Sequence, residues 1–396
     1  MISRAIIFAL IIFSVSTSVA KQFGRALVLS GGGADWAMFT GMYQELKNKN
    51  LDSDLIVGVC GGSFAAAMVY AKPDADFSNP ESVKEFFEFS KKVKMNKRFV
   101  TSYANFALSY KQWIKKDQVP PFVEPTVLAL PNLNEIPSFN QKFAINKGKR
   151  LIILATRMLF DPFELEAKLI KARKEALRND QRPPPLPFRD GRKLYRLTLF
   201  TDPETAKVLR ALKLKSKPAM QFPDSAMEED VEVVDNASIG DAVRASISDP
   251  LLLQPASVNG NFYMTGATDN YPAEMISQVA GEVIHSFSGP LPGWQNDIFK
   301  AAFHYDTNEM INRTKRELVS RWVFLGDRSK ELRKNSMNPG IKHYVTVAAN
   351  FPKTEADFNR MYLEYYKFGA QRTIESFKYE PFSIDPLTTY VTETKK

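Results

Sequence analysis

The stretch "DLIVGVCGGSFAAAM" (residues 54–68) decides the fold. A short apolar run ends at Gly58, Cys60 stands two residues on, Gly61 and Gly62 follow, and "SFAAAMVYA" then reads as a helix. Strand, glycine turn with one central side chain, and helix is the grammar of a nucleophile elbow, where glycines relieve crowding as the chain turns sharply. The central residue here is a cysteine. A thiol at a helix N-terminus ionises more readily than a free one, yet an unpaired cysteine commonly packs as a small inert hydrophobe. From these residues alone both readings stay open.

Upstream, "GRALVLS" (24–30) is another short apolar run, and it ends at Gly31, Gly32 and Gly33. The helix predicted from "WAMFTGMYQELKNKN" places Met38, Met42 and Leu46 on one face. Two strand–glycine–helix units in succession predict an α/β fold around a mostly parallel sheet. Ligands of such sheets gather at the strand C-termini, where both glycine turns lie. Backbone N–H groups of the Gly31–Gly33 loop would point at an anion or oxyanion. The pattern is not G-x-G-x-x-G and no Walker lysine follows, so a nucleotide site is not implied.

Further along, "KRLIILATRM" (149–158) predicts a buried strand, and "DPFE" (161–164) starts a basic helix with Asp161 as N-cap and Pro162 in the first turn. "RPPPLPF" breaks that helix, and "KLYRLTLFTD" (193–202) predicts another strand. "DVEVVDNASIGDAVRAS" reads as a strand leading into a helix, and "NGNFYMTG" (259–266) as a hairpin. "GEVIHSFS" (281–288) and "KHYVTVAA" (342–349) read as late strands, and residues 352–378 as an aromatic-rich helix. With no repeat and no clean linker, residues 21–396 form one expected domain. It carries a loop-rich insertion over about 73–148 and a helical C-terminal extension over about 291–396.

Residues 1–20 form a separate unit. "MISR", an apolar "AIIFALIIF" and small residues before Lys21 make a secretory signal peptide, and an exported protein is expected, periplasmic or secreted. A single cysteine excludes an intramolecular disulfide. The composition, 44% hydrophobic and 24% charged, is that of a globular chain. The formal charge is +9, and residues 168–217 carry fifteen Lys/Arg against five Asp/Glu, enough to account for it. Two basic amphipathic segments, 91–116 and 164–178, suit an anionic membrane surface. No nucleic-acid motif accompanies the charge. A protein partner remains open.

Five stretches then carry a resemblance: "LSGGGADWAMFTG", "DLIVGVCGGSFAAAM", "LIILATRM", "AVRASISDPLLLQP" and "YMTGATDNYPAEM". In order and spacing they resemble the patatin-like phospholipase family, over roughly residues 24–290. The resemblance implies a three-layer α/β sandwich and a lipid acyl hydrolase working through a Ser–Asp dyad without histidine. It leaves His285, His304 and His343 without a catalytic role, and it calls for no cofactor and no metal.

Set on the family pattern, the chain keeps Gly31, Gly32 and Gly33 as the oxyanion-loop glycines, Gly58 and Gly62 around the elbow, and Gly266 with Ala267 after the dyad aspartate. It departs at four places. Cys60 stands at the nucleophile position and Thr265 at the aspartate position, while Asp35 and Trp36 replace a basic residue and a glycine. A threonine hydroxyl takes no proton near neutral pH, and an anion near the thiol would disfavour its ionisation. Ser63 offers another G-x-S register but falls inside the helix, and Asp269 reads as a turn residue. The expected function is a noncatalytic or strongly impaired lipid- or membrane-binding relative. The alternatives are a lipid acyl hydrolase using Cys60 and a protein-interaction scaffold.

Overall fold

The computed structural model describes residues 21–31, 36–95, 117–120, 128–182, 184–250, 252–291, 293–325, 352 and 354–378. The proposed signal peptide, Gly32, Gly33, Asp35, most of the 91–116 segment, His343 and the strand expected at 342–349 lie outside them.

A mixed sheet forms the centre. Its strands are β1 (Phe23–Leu29), β2 (Leu55–Val59), β5 (Arg150–Met158), β6 (Tyr195–Phe200), β7 (Glu232–Val234), β10 (Ala280–Phe287) and β11 (Arg321–Phe324), in the spatial order β11-β10-β1-β2-β5-β6-β7. β3 (Lys94–Met95) and β4 (Leu128–Ala129) pair apart from it. The run from β11 to β5 is parallel, and β6 then pairs antiparallel to β5. β8 (Ala256–Val258) and β9 (Asn261–Met264) are the expected hairpin. Asn259 and Gly260 turn it with φ of 50° and 75°, the positive pair that a tight two-residue turn requires.

Every residue of β2 is buried, as a strand covered on both faces must be. The pleat sorts the side chains. Leu27, Leu29, Ile56, Leu151, Ile153 and Ala155 enter one apolar layer, whereas Ala26, Val28, Leu55, Val57, Ile152 and Leu154 enter the other. The first layer is closed by α1 (Trp36–Asn48), α2 (Gly61–Ala71), α4 (Ile239–Ser246) and α5 (Glu355–Ser376). The second is closed by helices Pro203–Leu212 and Gly293–Phe303 and by one edge of α3 (Pro162–Arg178). The result is a three-layer α/β architecture.

Two regions are more integral than their sequences suggest. Phe77, Phe86, Phe87, Leu133, Ile136 and Phe139, all within the expected insertion, lie in the first core layer. The C-terminal region also supplies more than a helical extension: β11 extends the sheet, and α5 lies directly on α1. A Cβ on Gly41 would run into the Tyr366 carbonyl, and one on Gly369 into the Met38 carbonyl, so the two helices cross at backbone contact. Tyr362 of α5 donates to the Phe77 carbonyl at 2.7 Å and lies 3.1 Å from the Thr40 hydroxyl, tying α1, α5 and the 73–148 region together. Among the described residues no helix is long and apolar enough to cross a membrane.

Candidate active site

Strand register brings the two expected dyad positions together. β2 pairs along one edge of β5 up to Val59, which faces Leu154. β9 runs the opposite way along the same edge and ends with Met264 facing Thr156. β6 occupies the other edge. Only Ala155 separates the two strand ends, so Cys60 and Thr265, each the first residue after its strand, are delivered to one point beside β5.

The elbow at that point is sharp. Cys60 has φ 49° and ψ −124°, a region that a residue bearing a Cβ enters at a cost of about 1–3 kcal/mol. The flanking glycines explain how the turn closes. A Cβ on Gly58 would collide with the Ser63 backbone and lie 2.8 Å from Ala66 Cβ, and one on Gly62 would press into the Leu29 and Ser30 carbonyls. Both glycines therefore permit backbone packing under Cys60. The Cys60 N–H donates to Ser246 Oγ at 2.9 Å. Ser63 is fully buried and donates its hydroxyl to the Cys60 carbonyl at 2.6 Å, so it is committed to the turn and presents no nucleophile.

Thr265 is buried and caps the short 3-10 turn Gly266–Asp269, its Oγ1 accepting the Ala267 N–H at 3.1 Å. Its own N–H donates to the Ser248 carbonyl at 3.0 Å, and its carbonyl accepts from Thr156 Oγ1 at 2.8 Å. A Cβ on Gly266 would meet the Leu154 carbonyl and stand 3.2 Å from Ser246 Oγ. Ser246, at the end of α4, thus sits between the elbow amide and the turn.

The glycine loop joins the same cluster at its first residue. The Gly31 N–H donates to Asn270 Oδ1 at 2.6 Å, and a Cβ on Gly31 would lie 3.3 Å from Cys60 Cβ. Three motifs far apart in sequence therefore meet within a few ångströms. On the loop's other side, Ser30 donates its N–H to Ser286 Oγ at 2.8 Å. Trp36 turns its ring toward Phe64, Phe86, Phe358 and Tyr362, with centroids 5.6–6.4 Å away. Its bulk fills an aromatic layer between α1, α2 and α5.

Behind Asn270 lies a buried charge cluster. Lys217 Nζ donates to the Tyr271 carbonyl at 2.9 Å and to the Thr314 hydroxyl at 2.8 Å, with Glu274 at 3.2 Å and Asp269 at 3.6 Å. Burial raises the Asp269 pKa above the usual carboxylate range, while the Lys217 ammonium opposes the rise. Asp269 is thus an anchor of the "TDNYP" turn. His285 is fully buried, stacked 4.9 Å from Trp322, with its pKa pushed down to about 3 by burial. Its Nδ1 lies 2.7 Å from the Ser286 carbonyl.

Sequence reasoning assigned no role to Ser246, Asn270 or Lys217. The first two lie inside the quoted stretches "AVRASISDP" and "TGATDNYP", so their motifs were visible while their partners were not. Lys217 belongs to no motif.

Residues 27–276 match a family model described as patatin-like phospholipase. No curated protein matches the chain. Among solved structures, the crystal structure of VipD from Legionella pneumophila is similar, with 10% identity and a TM-score of 0.33 over 90% of this chain and 67% of that one.

Proposed function

The chain belongs to the patatin-like phospholipase family, and from that premise we propose an exported, lipid-binding member whose acyl-hydrolase frame is kept while its dyad is disarmed. The observation that supports this is the meeting of Cys60 with Thr265 at the ends of β2 and β9. The residue placed to serve as base carries a hydroxyl, which accepts the Ala267 N–H and has no basicity to offer a nucleophile. Loss of a positioned general base typically lowers rate by factors of about 10² to 10⁴. The partner on this reading is a lipid or an anionic membrane surface, met in the periplasm or outside the cell, with the protein peripheral to it.

A second reading has an observation of its own. The strained φ of 49° at Cys60 is the conformation that presents an elbow side chain, and a thiol needs less help from a base than a hydroxyl does. One assay separates the two. Hydrolysis of a fluorogenic acyl ester is measured for the mature protein, for Cys60→Ala and for the Cys60→Ser/Thr265→Asp double variant. Activity confined to the double variant is expected. Activity in the parent that vanishes in Cys60→Ala would establish a thiol hydrolase and end the first reading.

A further inference from the structure

Helix α3 carries two apolar stripes, and only one of them is used. Pro162, Leu169 and Ala176, spaced by seven, are buried, and Leu169 packs in the second core layer. One residue further on, Phe163, Ile170 and Leu177 repeat that spacing while 37%, 40% and 70% exposed. At about 100° per residue, Lys174, Arg178 and Lys171 fall in turn along the outer margin of this second stripe. All three cations are exposed, and none has an ion-pair or hydrogen-bond partner among the described residues. Lys168, by contrast, is paired with Glu164 at 2.6 Å.

The stripe also has a definite place relative to the elbow. β5 runs four residues past Leu154, the partner of Val59, which is roughly 13 Å beyond the level where β2 ends. Leu159, 37% exposed, and the start of α3 follow at that height. Phe163 packs 5.4 Å from Phe262 of β9, the strand that delivers Thr265. The exposed ridge therefore begins on the same rim of the sheet as the Cys60–Thr265 meeting point.

We propose that Leu159, Phe163, Ile170 and Leu177, with Lys171, Lys174 and Arg178 beside them, form a docking surface for an anionic lipid bilayer that turns the elbow rim toward the lipid. The charge decides the occupant. An apolar stripe bordered by exposed cations suits acyl chains beneath anionic headgroups, since the apolar side chains enter the boundary while the cations remain at headgroup level. The surrounding chain adds to the attraction, with fifteen Lys/Arg against five Asp/Glu between Lys168 and Lys217. This inference rests on the lipid-binding reading above and names its surface.

The test is co-sedimentation of the full mature chain with vesicles of phosphatidylcholine alone or with about one third phosphatidylglycerol. Binding is expected only to the anionic vesicles and should weaken as salt rises. Lys171→Glu/Lys174→Glu and, separately, Ile170→Ser/Leu177→Ser should each weaken it by at least about tenfold. These side chains are exposed, so unchanged thermal melting serves as the folding control. The proposal is overturned if the parent binds neither vesicle, binds both equally, or binds as well after both pairs of substitutions. A concentration-dependent dimer abolished by Ile170→Ser/Leu177→Ser would overturn it in favour of a second copy of the chain. Parent binding that survives both pairs of substitutions overturns this surface alone, whereas a parent that binds neither vesicle overturns the lipid-binding reading with it, so the two failures are told apart.

Discussion

Replacing Cys60 by glycine should leave the protein more stable than replacing it by alanine. In relaxed backbone the order is the reverse, because glycine loses more freedom on folding, a deficit of about 0.4–1 kcal/mol. At φ 49° and ψ −124°, alanine retains the strain and glycine does not. Relief of about 1–3 kcal/mol exceeds that entropic loss through most of its range, leaving glycine ahead by about 0.5–2 kcal/mol. Alanine should fall below the parent by about 1 kcal/mol, the value of a small buried group that it no longer supplies. Urea midpoints of the three proteins at equal denaturant slope give the comparison. A glycine variant less stable than the alanine variant would refute the claim that the elbow is strained.

Two further outcomes concern the buried charges. Lys217→Met leaves the buried Asp269 and the half-buried Glu274 without their cation and should cost about 3–5 kcal/mol. Burial already raises the Asp269 pKa and Lys217 restrains it, so the variant raises it further. A carboxyl group with a raised folded pKa loses stability as pH climbs from the unfolded value through the folded one. The deficit measured by urea unfolding should therefore be smaller at about pH 5 than at about pH 8. His285 behaves in the opposite sense: its folded pKa is depressed to about 3, so the unfolded chain takes up a proton first as pH falls below its ordinary value. That removes about 2 kcal/mol between pH 7 and pH 5. His285→Phe should flatten the pH dependence of the midpoint by this amount, and an unchanged slope would mean that the ring is solvated.

Much of the frame was legible because its signals are local. Gly58 and Gly62, flanking Cys60 after an apolar run, specify the elbow, Asn259–Gly260 specifies the hairpin, and Asp161 caps α3 through the Phe163 and Glu164 N–H groups as its position predicts. What sequence alone could not show are contacts whose partners lie far along the chain. The Gly31–Asn270 hydrogen bond joins residues 239 apart, and that from Cys60 to Ser246 spans 186. Neither alters a hydropathy pattern. The same holds for α5. Residues 352–378 read as an aromatic-rich helix, but Gly41 and Gly369 reveal a helix crossing only when each is seen against the opposing carbonyl. The antiparallel β6 was hidden for a different reason: a buried run has the same composition in either direction.

On the proposed reading, Cys60 and Thr265 would explain how a fold outlives its reaction. An aspartate at position 265 would be able to cap the following turn and to serve as base, and threonine retains only the first ability. Cysteine occupies nearly the volume of serine, so the elbow closes over the same glycines. Both exchanges leave β2, β9 and their shared edge on β5 intact. The Gly31 N–H bond to Asn270 and the Lys217 contact with the Tyr271 carbonyl beside it involve neither Cys60 nor the Thr265 hydroxyl, so they hold Gly31 and the 269–271 turn whether or not a proton can be taken. Selection for lipid binding would maintain that scaffold without maintaining a base. On this logic, restoring serine and aspartate together should require no other change for hydrolysis to appear, while either substitution alone should yield little.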